Sequence, residues 1–318
     1  MTISAVAGNG PRVHILGAAC ALGAPHVGSA HAPSALRSAQ LMRSLIAAGV
    51  DAQWVDTLHP VADTDDAFDM RTRLELNGAF ARTLANAVAA LPAGALPFVL
   101  GGDHAIASGT WRGVGRRLGH APGLIWIDAH LDSHTALTTH SGNIHGMPLA
   151  ALLGEGDPAL AAIAGPTLDP QRTCVIGARA WEAEEHALLQ RLGVRVFAMD
   201  EVRARGLPAV FCDALDIVRA GAPGFGLSLD LDAIEPSTLP AVTCPEVGGI
   251  DPAALVAVLR RVRACEDFVA LELVEYRPDL DPEGDSAHWI AAFAAAALGP
   301  RPERCKSAMK RAPSLCQH

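Results

Sequence analysis

Short apolar runs alternate along the chain with longer segments in which alanine, leucine and arginine recur at helical spacing. This alternation predicts strands joined by crossover helices, as in a parallel β-sheet. The strands are predicted at Val13–Leu16, Ala52–Val55, Pro97–Leu100, Leu124–Ile127, Thr173–Ile176, Arg195–Phe197, Gly226–Leu231 and Phe268–Leu273. The helices are predicted at Pro33–Ala48, Arg71–Ala90, Ala105–Leu118, Ala183–Leu192, Pro208–Ala220, Pro252–Ala264 and Ser286–Ala297. Strands and helices in this order fit a closed barrel as well as an open sheet, and we expect an open sheet.

The composition favours one large catalytic domain, since 50% of the 318 residues are hydrophobic and they are spread along the whole sequence. No apolar run is long enough to predict a membrane span, and the amino-terminal residues lack the features of a secretion signal. We therefore expect a cytoplasmic protein with no membrane partner. The formal net charge of −9 disfavours nucleic acid as a partner. The seven cysteines form no CxxC pair, which argues against a disulfide framework or a structural zinc site.

The catalytic domain is expected to span residues 12–298, followed by a basic, flexible tail at residues 299–318. The tail contains Arg301, Lys306 and Lys310 and shows little apolar periodicity. This pattern is typical of a solvated terminus, although a basic partner site is the alternative.

Three segments place potential metal ligands where a predicted strand ends. The sequence DAHLD at 128–132 follows an apolar run, and because side chains alternate along an extended segment, positions 128, 130 and 132 share one side. The sequence SLDLD at 228–232 spaces two carboxylates in the same way. The sequence GGDH at 101–104 ends a strand at two glycines, which let the backbone bring its histidine close to a neighbouring strand. The predicted ligands are His104, Asp128, His130, Asp132, Asp230 and Asp232.

Taken singly, each of these segments also fits a turn or a solvated loop. Taken together they favour a metal site, because clustered buried carboxylates without cations repel one another and are costly to desolvate. The carboxyl ends of parallel strands are also where such sheets place their active sites. An oxygen-rich set of ligands without sulfur suits manganese or a similar ion. Two such ions lower the pKa of a bridging water molecule, so the sequence predicts a dinuclear metal hydrolase.

Two other segments carry polar groups suited to a substrate. The loop 138–146 is rich in small polar side chains, and its His145 is a candidate proton shuttle because a histidine titrates near neutral pH. Glu275 follows an apolar strand, where it is either a receptor for a cationic group or an ordinary surface residue at a strand end.

These motifs resemble the ureohydrolase family, and within it the arginases. The matching sequences are GGDHAIASGT at 101–110, WIDAHLDSHTALTTHSGNIHGMP at 126–148, SLDLDAIEP at 228–236, PEVGGI at 245–250 and LVEYRP at 273–278. The resemblance covers about residues 12–298 and implies a three-layer α/β/α fold with a mostly parallel sheet, a two-manganese site and a homo-trimer or homo-hexamer.

The activity implied by the resemblance is hydrolysis of L-arginine to L-ornithine and urea, through attack of metal-bridging hydroxide on the guanidinium carbon. The resemblance gives His145 the role of proton shuttle and Glu275 that of guanidinium acceptor, and it includes Asp132 among the catalytic groups. The substrate contacts that it implies are His134, Thr139, Ser141, Asn143, Glu182 and Glu185.

Four positions depart from the arginase pattern. His134 stands where the family has asparagine, and Ala180 stands where it has aspartate. Glu235 replaces the aspartate of a DP pair, and Cys244 lies in a sequence that is usually GTP. These departures concern substrate recognition and the loop that follows the second carboxylate pair, whereas all six predicted ligands are present.

The departures keep other functions open. One alternative is another ureohydrolase that acts on agmatine, on a guanidino acid or on formiminoglutamate, and His134 is the main argument for it. A second alternative is a weakly active metal-binding member with a role in assembly, against which the complete ligand set argues.

Overall fold

The computed structural model describes residues 12–38, 41–61, 68–221 and 224–300, which alternate between strand and helix as the hydrophobic pattern predicts. The strands are β1 (Val13–Ala18), β2 (Ala52–Leu58), β3 (Leu96–Gly101), β4 (Gly123–Ile127), β5 (Thr173–Ile176), β6 (Arg195–Phe197), β7 (Phe225–Asp230) and β8 (Phe268–Val274). The helices are α1 (Ala32–Ser38), α2 (Leu41–Ala47), α3 (Met70–Ala90), α4 (Ala107–Leu118), α5 (Pro148–Leu152), α6 (Pro158–Ala161), α7 (Ala183–Leu192), α8 (Met199–Arg205), α9 (Leu207–Val218), α10 (Pro252–Val262) and α11 (Asp285–Leu298).

The strands form a single eight-stranded sheet in the order β2-β1-β3-β8-β7-β4-β5-β6. Each neighbouring pair is parallel. The edges of the sheet are β2 and β6, so the sheet is open and does not close into a barrel. The prediction of an open, parallel α/β sheet is therefore confirmed.

Helices cover both faces of this sheet, because alternate residues of each buried strand point to opposite sides. In β4, Leu124 and Trp126 pack in an apolar cluster with α3 and α4. Ile125 and Ile127 pack in a second cluster with α9, α10 and α11. The result is the three-layer α/β/α arrangement that the resemblance implies.

The structure differs from the predicted elements mainly in short helices. α6 lies in the connection between the predicted strands Leu124–Ile127 and Thr173–Ile176, and none of α5, α6 and α8 was predicted. These helices have four to seven residues, too few to show a helical period in the sequence. The predicted helix Pro33–Ala48 corresponds to α1 and α2, on either side of residues 39 and 40, which lie outside the described residues.

The predicted basic tail lies outside the described residues from position 301 onward. Among the helices of the described ranges, none combines the length and the apolar character that a membrane crossing requires.

Four central strands bring the predicted metal ligands to one place. In the sheet, β3, β8, β7 and β4 are consecutive neighbours, and all four point the same way. Near their carboxyl ends, Leu273 of β8 pairs with both Leu100 of β3 and Leu229 of β7, which in turn pairs with Ile127 of β4. The polar residues that follow these strands therefore meet at the carboxyl edge of the sheet.

Candidate metal centre and active site

One group of potential metal ligands surrounds the imidazole of His104. Its Nδ1 atom lies 3.1 Å from Asp128 Oδ2, 3.0 Å from Asp132 Oδ2 and 3.0 Å from Asp230 Oδ2. All four side chains are buried, and their ligand atoms lie within 4.8 Å of one another. We call this group the inner cluster.

A second group, the outer cluster, shares one of these carboxylates. His130 Nδ1 lies 3.0 Å from Asp232 Oδ2 and 3.5 Å from Asp128 Oδ1. Because the two oxygens of Asp128 face different histidines, this carboxylate lies between the two clusters. The structure thus brings all six predicted ligands together in two sets that share Asp128.

The hydrogen bonds around His104 show that the inner cluster fits a cation. Ser228 Oγ donates to Glu272 Oε2 at 2.6 Å, so its lone pair accepts from His104 Nε2 at 2.9 Å. A neutral imidazole that donates through Nε2 carries only a lone pair on Nδ1. Nδ1 faces three carboxylate oxygens, and although burial acts to lower the pKa of His104, these carboxylates raise it. The arrangement therefore requires a positive charge at this point, which either a proton on Nδ1 or a metal ion between the four groups supplies.

The carboxylates of the inner cluster support the same interpretation. Burial is the largest cause that raises the pKa of Asp132, to about 7, and repulsion from Asp128 adds to it. The pKa of Asp230 is also raised, first by burial and then by the charges of Asp232 and Asp128. Divalent cations relieve both burial and repulsion, and the nitrogen and oxygen donors suit a hard or borderline ion.

Residues beyond the ligands hold His104 in place. Its ring stacks on Trp126, with centroids 4.0 Å apart and an interplanar angle of 10°. Behind it, Ser228 and the fully buried Glu272 form a relay that also accepts a hydrogen bond from Trp111 Nε1 at 3.0 Å. The sequence analysis missed this relay, although a glutamate inside the apolar run of β8 was a signal that it has buried partners.

Asp103 is another residue that the sequence analysis missed. Its carboxylate is buried and accepts hydrogen bonds from the backbone N–H groups of Gly23, Ala24 and Ala105. The carbonyl of Gly23 in turn accepts from the N–H of His145 at 3.2 Å. Asp103 therefore connects the loop after β1 to the loop that carries His145, and its place directly before His104 was the available signal.

Glu275 and His145 form a buried pair beside the metal clusters. Glu275 Oε1 accepts hydrogen bonds from His104 N at 2.8 Å and from His145 Nδ1 at 3.0 Å. Burial acts to lower the pKa of His145, but the carboxylate of Glu275 raises it to about 9. Within the described chain, Glu275 Oε2 has no hydrogen-bond partner although it is buried. It is therefore an unsatisfied acceptor, and it lies directly behind His145, which lines the cavity described below, whereas Glu275 itself is not part of that wall.

Two site residues adopt an unusual backbone conformation. Asp132 has a φ of 48° and Glu275 a φ of 69°, both in the left-handed region that non-glycine residues rarely occupy. Such conformations persist where the surrounding structure enforces them, and they cluster at functional sites.

A cavity of about 220 Å³ joins the metal clusters to the predicted substrate contacts. Its wall includes His145 and Cys244 and five of the six predicted contacts. These five contacts are His134, Ser141, Asn143, Glu182 and Glu185. Thr139 is not part of this wall, and its hydroxyl instead accepts from the N–H of Gly142 at 3.1 Å within the loop.

Two of the four positions that depart from the family pattern, Glu235 and Ala180, also have defined structural roles. Glu235 accepts hydrogen bonds from the N–H groups of Gly248 and Gly249, each at 2.9 Å, so it orders the loop after the outer cluster. Ala180 donates its backbone N–H to the carbonyl of Ala129, between two ligands of the outer cluster.

Comparison with known proteins places the chain in a family. The model described as "Arginase family" matches residues 11–299. The chain belongs to the arginase family. It is 36% identical over 293 residues to an arginase from Brevibacillus brevis, an alignment that covers 90% of this chain and 97% of the relative.

Solved structures of the arginase family agree with this assignment. An arginase from Bacillus caldovelox superposes with a TM-score of 0.84 at 33% identity, covering 91% of this chain and 98% of the other. An arginase from Bacillus cereus gives a TM-score of 0.83 at 30% identity, with the same coverage. The predicted family and fold are confirmed, and the chain is an arginase-type ureohydrolase with buried His and Asp clusters that can bind metal ions.

Proposed function

We propose that this arginase-family enzyme hydrolyses L-arginine to L-ornithine and urea. The observation that carries the proposal is a cavity whose wall includes ligands of both metal clusters as well as the polar residues predicted to contact the amino-acid end of the substrate, the head group. Arginine has matching chemistry at its two ends, a guanidinium group and an α-amino acid.

Two manganese ions held by the inner and outer clusters would lower the pKa of bound water and supply hydroxide near neutral pH. The six side chains that would hold them are His104, Asp128, His130, Asp132, Asp230 and Asp232. We propose manganese because the donors are carboxylate oxygens and imidazole nitrogens without a thiolate.

Glu275 is proposed to hold the guanidinium group. Its Oε2 is buried without a partner in the described residues, and a guanidinium N–H that donates to it gains a charge-assisted hydrogen bond. Its Oε1 stays fixed by His104 N and His145 Nδ1. The guanidinium carbon is thus held beside the metal clusters, where proximity favours attack by a hydroxide oxygen.

His145 is proposed to transfer the proton that completes the reaction. Attack forms a carbon–oxygen bond, and the bond between the guanidinium carbon and the Nε atom of arginine then breaks. The new C–OH group loses its proton to become the carbonyl of urea, and the nitrogen gains a proton to leave as the δ-amine of ornithine. His145 lines the cavity and is oriented by Glu275. A histidine in this position can deliver a proton to the leaving nitrogen and recover it from solvent.

The amino-acid end is proposed to bind at the outer part of the cavity. Glu182 and Glu185 provide acceptors for the α-ammonium group, while Ser141 and Asn143 provide donors for the α-carboxylate. As part of the same proposal, we place the activity in a cytoplasmic homo-trimer or homo-hexamer whose catalytic domain spans residues 12–298.

The test is to load the purified protein with manganese and to measure urea from arginine, agmatine and 4-guanidinobutanoate under identical conditions. We expect the highest kcat/KM with arginine. A clear preference for agmatine would contradict arginine as the substrate. No urea from any of the three, with two ions bound, would favour a formimino substrate or a non-catalytic role.

A further inference from the structure

His134, which replaces the asparagine of the family pattern, has both ring nitrogens engaged by the protein. Nε2 lies 2.9 Å from Glu182 Oε2, and Nδ1 lies 3.1 Å from Thr138 Oγ1. The ring lies on the cavity wall between these two partners, and its side chain is only 8% exposed.

The partners of the two ring nitrogens determine which atoms donate. Thr138 Oγ1 accepts the backbone N–H of Thr135 at 2.9 Å. As a donor it has Nδ1 of His134 at 3.1 Å and the carbonyl of Thr135 at 3.5 Å, and the ring nitrogen is the closer of these two acceptors. Nε2 carries the ring's N–H because the carboxylate of Glu182 can only accept, and in the neutral ring Nδ1 is then the acceptor for the Thr138 hydroxyl. We call this chain of hydrogen bonds the head-group relay.

The relay adds a second constraint to the carboxylate of Glu182, which is 47% exposed and also accepts the backbone N–H of Glu185 in the capping box of α7. Glu185 lies beside it and is itself fixed, because it accepts from Ser133 N at 3.1 Å and from Glu182 N at 3.0 Å. The cavity thus presents two oriented acidic groups to a cationic head group.

The same hydrogen bonds prevent His134 from donating to the α-carboxylate of a substrate. With Nδ1 accepting and Nε2–H donated to Glu182, the ring of His134 has no polar proton left for a substrate carboxylate. Ser141 and Asn143 then carry carboxylate recognition on the cavity wall.

We propose that His134 is a positioning residue that makes the amine of the substrate, rather than its carboxylate, the main determinant of head-group recognition. This inference rests on the proposed hydrolysis of guanidino substrates. Two arginine analogues separate the two groups, since agmatine lacks only the carboxylate and 5-guanidinopentanoate lacks only the amine. The head-group relay favours agmatine as the better of these two secondary substrates.

The experiment measures kcat and KM for arginine, agmatine and 5-guanidinopentanoate with the manganese-loaded wild type and the His134→Asn variant. In the variant, the KM for arginine should rise about tenfold with little change in kcat, as expected for one weakened charge-assisted hydrogen bond away from the reacting atoms. The ratio of kcat/KM for agmatine to that for 5-guanidinopentanoate should exceed one in the wild type and fall about tenfold in the variant.

The matched control is His186→Asn, the same substitution at an exposed histidine of α7, which should leave the ratio unchanged. Thr138→Val should shift the ratio in the same direction as His134→Asn, whereas Thr138→Ser should retain the wild-type preference because it keeps the hydroxyl.

A wild-type ratio below one, or a ratio that His134→Asn does not change, would overturn the inference while leaving arginine hydrolysis intact. Absence of arginine hydrolysis by the wild type would instead contradict the proposed function itself, and the inference with it.

Discussion

Replacing Ser228 with alanine should weaken metal binding at the inner cluster without affecting the outer one. In the relay behind His104, Ser228 Oγ accepts from His104 Nε2 at 2.9 Å and donates to Glu272 Oε2 at 2.6 Å. All three side chains are fully buried. The substitution therefore leaves the imidazole N–H without its acceptor.

The expected loss of metal-binding free energy equals the cost of leaving one buried polar group without a hydrogen bond, about 1–3 kcal/mol. In the metal-free protein the ring of His104 can turn its N–H toward one of the nearby carboxylates, Asp128 among them. Metal binding requires Nδ1 to face those carboxylates again, so the penalty falls on the metal-bound state. Since about 1.4 kcal/mol corresponds to a factor of ten, affinity at the inner cluster should fall about tenfold to a hundredfold.

Calorimetric titration of the metal-free protein with Mn²⁺ measures the two affinities separately. The control is Ser286→Ala, because Ser286 is equally buried and its hydroxyl has no hydrogen-bond partner in the described ranges. We expect wild-type affinities in that control. If Ser228→Ala also bound both ions as tightly as the wild type, the relay would not orient His104 and our reasoning would be refuted.

Two further substitutions distinguish ligands from catalytic groups. Asp232→Ala should lose bound metal and urea production together, because Asp232 Oδ2 is one of the three ligand atoms of the outer cluster; full metal content by atomic emission, with full activity, would show that the ligand assignment is wrong. His145→Ala should keep its metal but lose kcat by a factor on the order of a hundred or more, since a proton-transfer group contributes at least that much. Metal loss in His145→Ala would contradict its assignment to proton transfer.

The sequence was sufficient to predict the sheet and the grouping of the six ligands for a specific physical reason. Strand periodicity is local, and parallel strands align their carboxyl ends, so DAHLD and SLDLD had to meet at one edge. The short helices α5, α6 and α8 were missed because they are too short to show a period, and packing determines them.

The supporting hydrogen bonds were beyond sequence reasoning because they connect residues far apart in the chain. Ser228 and Glu272 lie on neighbouring strands, and their register places them opposite each other. The role of His134 was equally hidden. As an amino-acid type it is a plausible substrate contact, and only the positions of Thr138 and Glu182 show that its two nitrogens are already engaged.

The left-handed backbone at Asp132 and Glu275 has a consequence for directed evolution of this enzyme. Each residue holds a strained conformation whose penalty is on the order of 1–3 kcal/mol, and glycine or asparagine tolerates the same conformation more easily. Each is also a buried carboxylate, so such replacements remove charge from the interior as well. A screen that rewards heat resistance alone would therefore accumulate substitutions at these two positions and enrich a robust but inactive protein. A selection for a heat-resistant enzyme therefore has to measure the catalytic activity of each variant together with its stability.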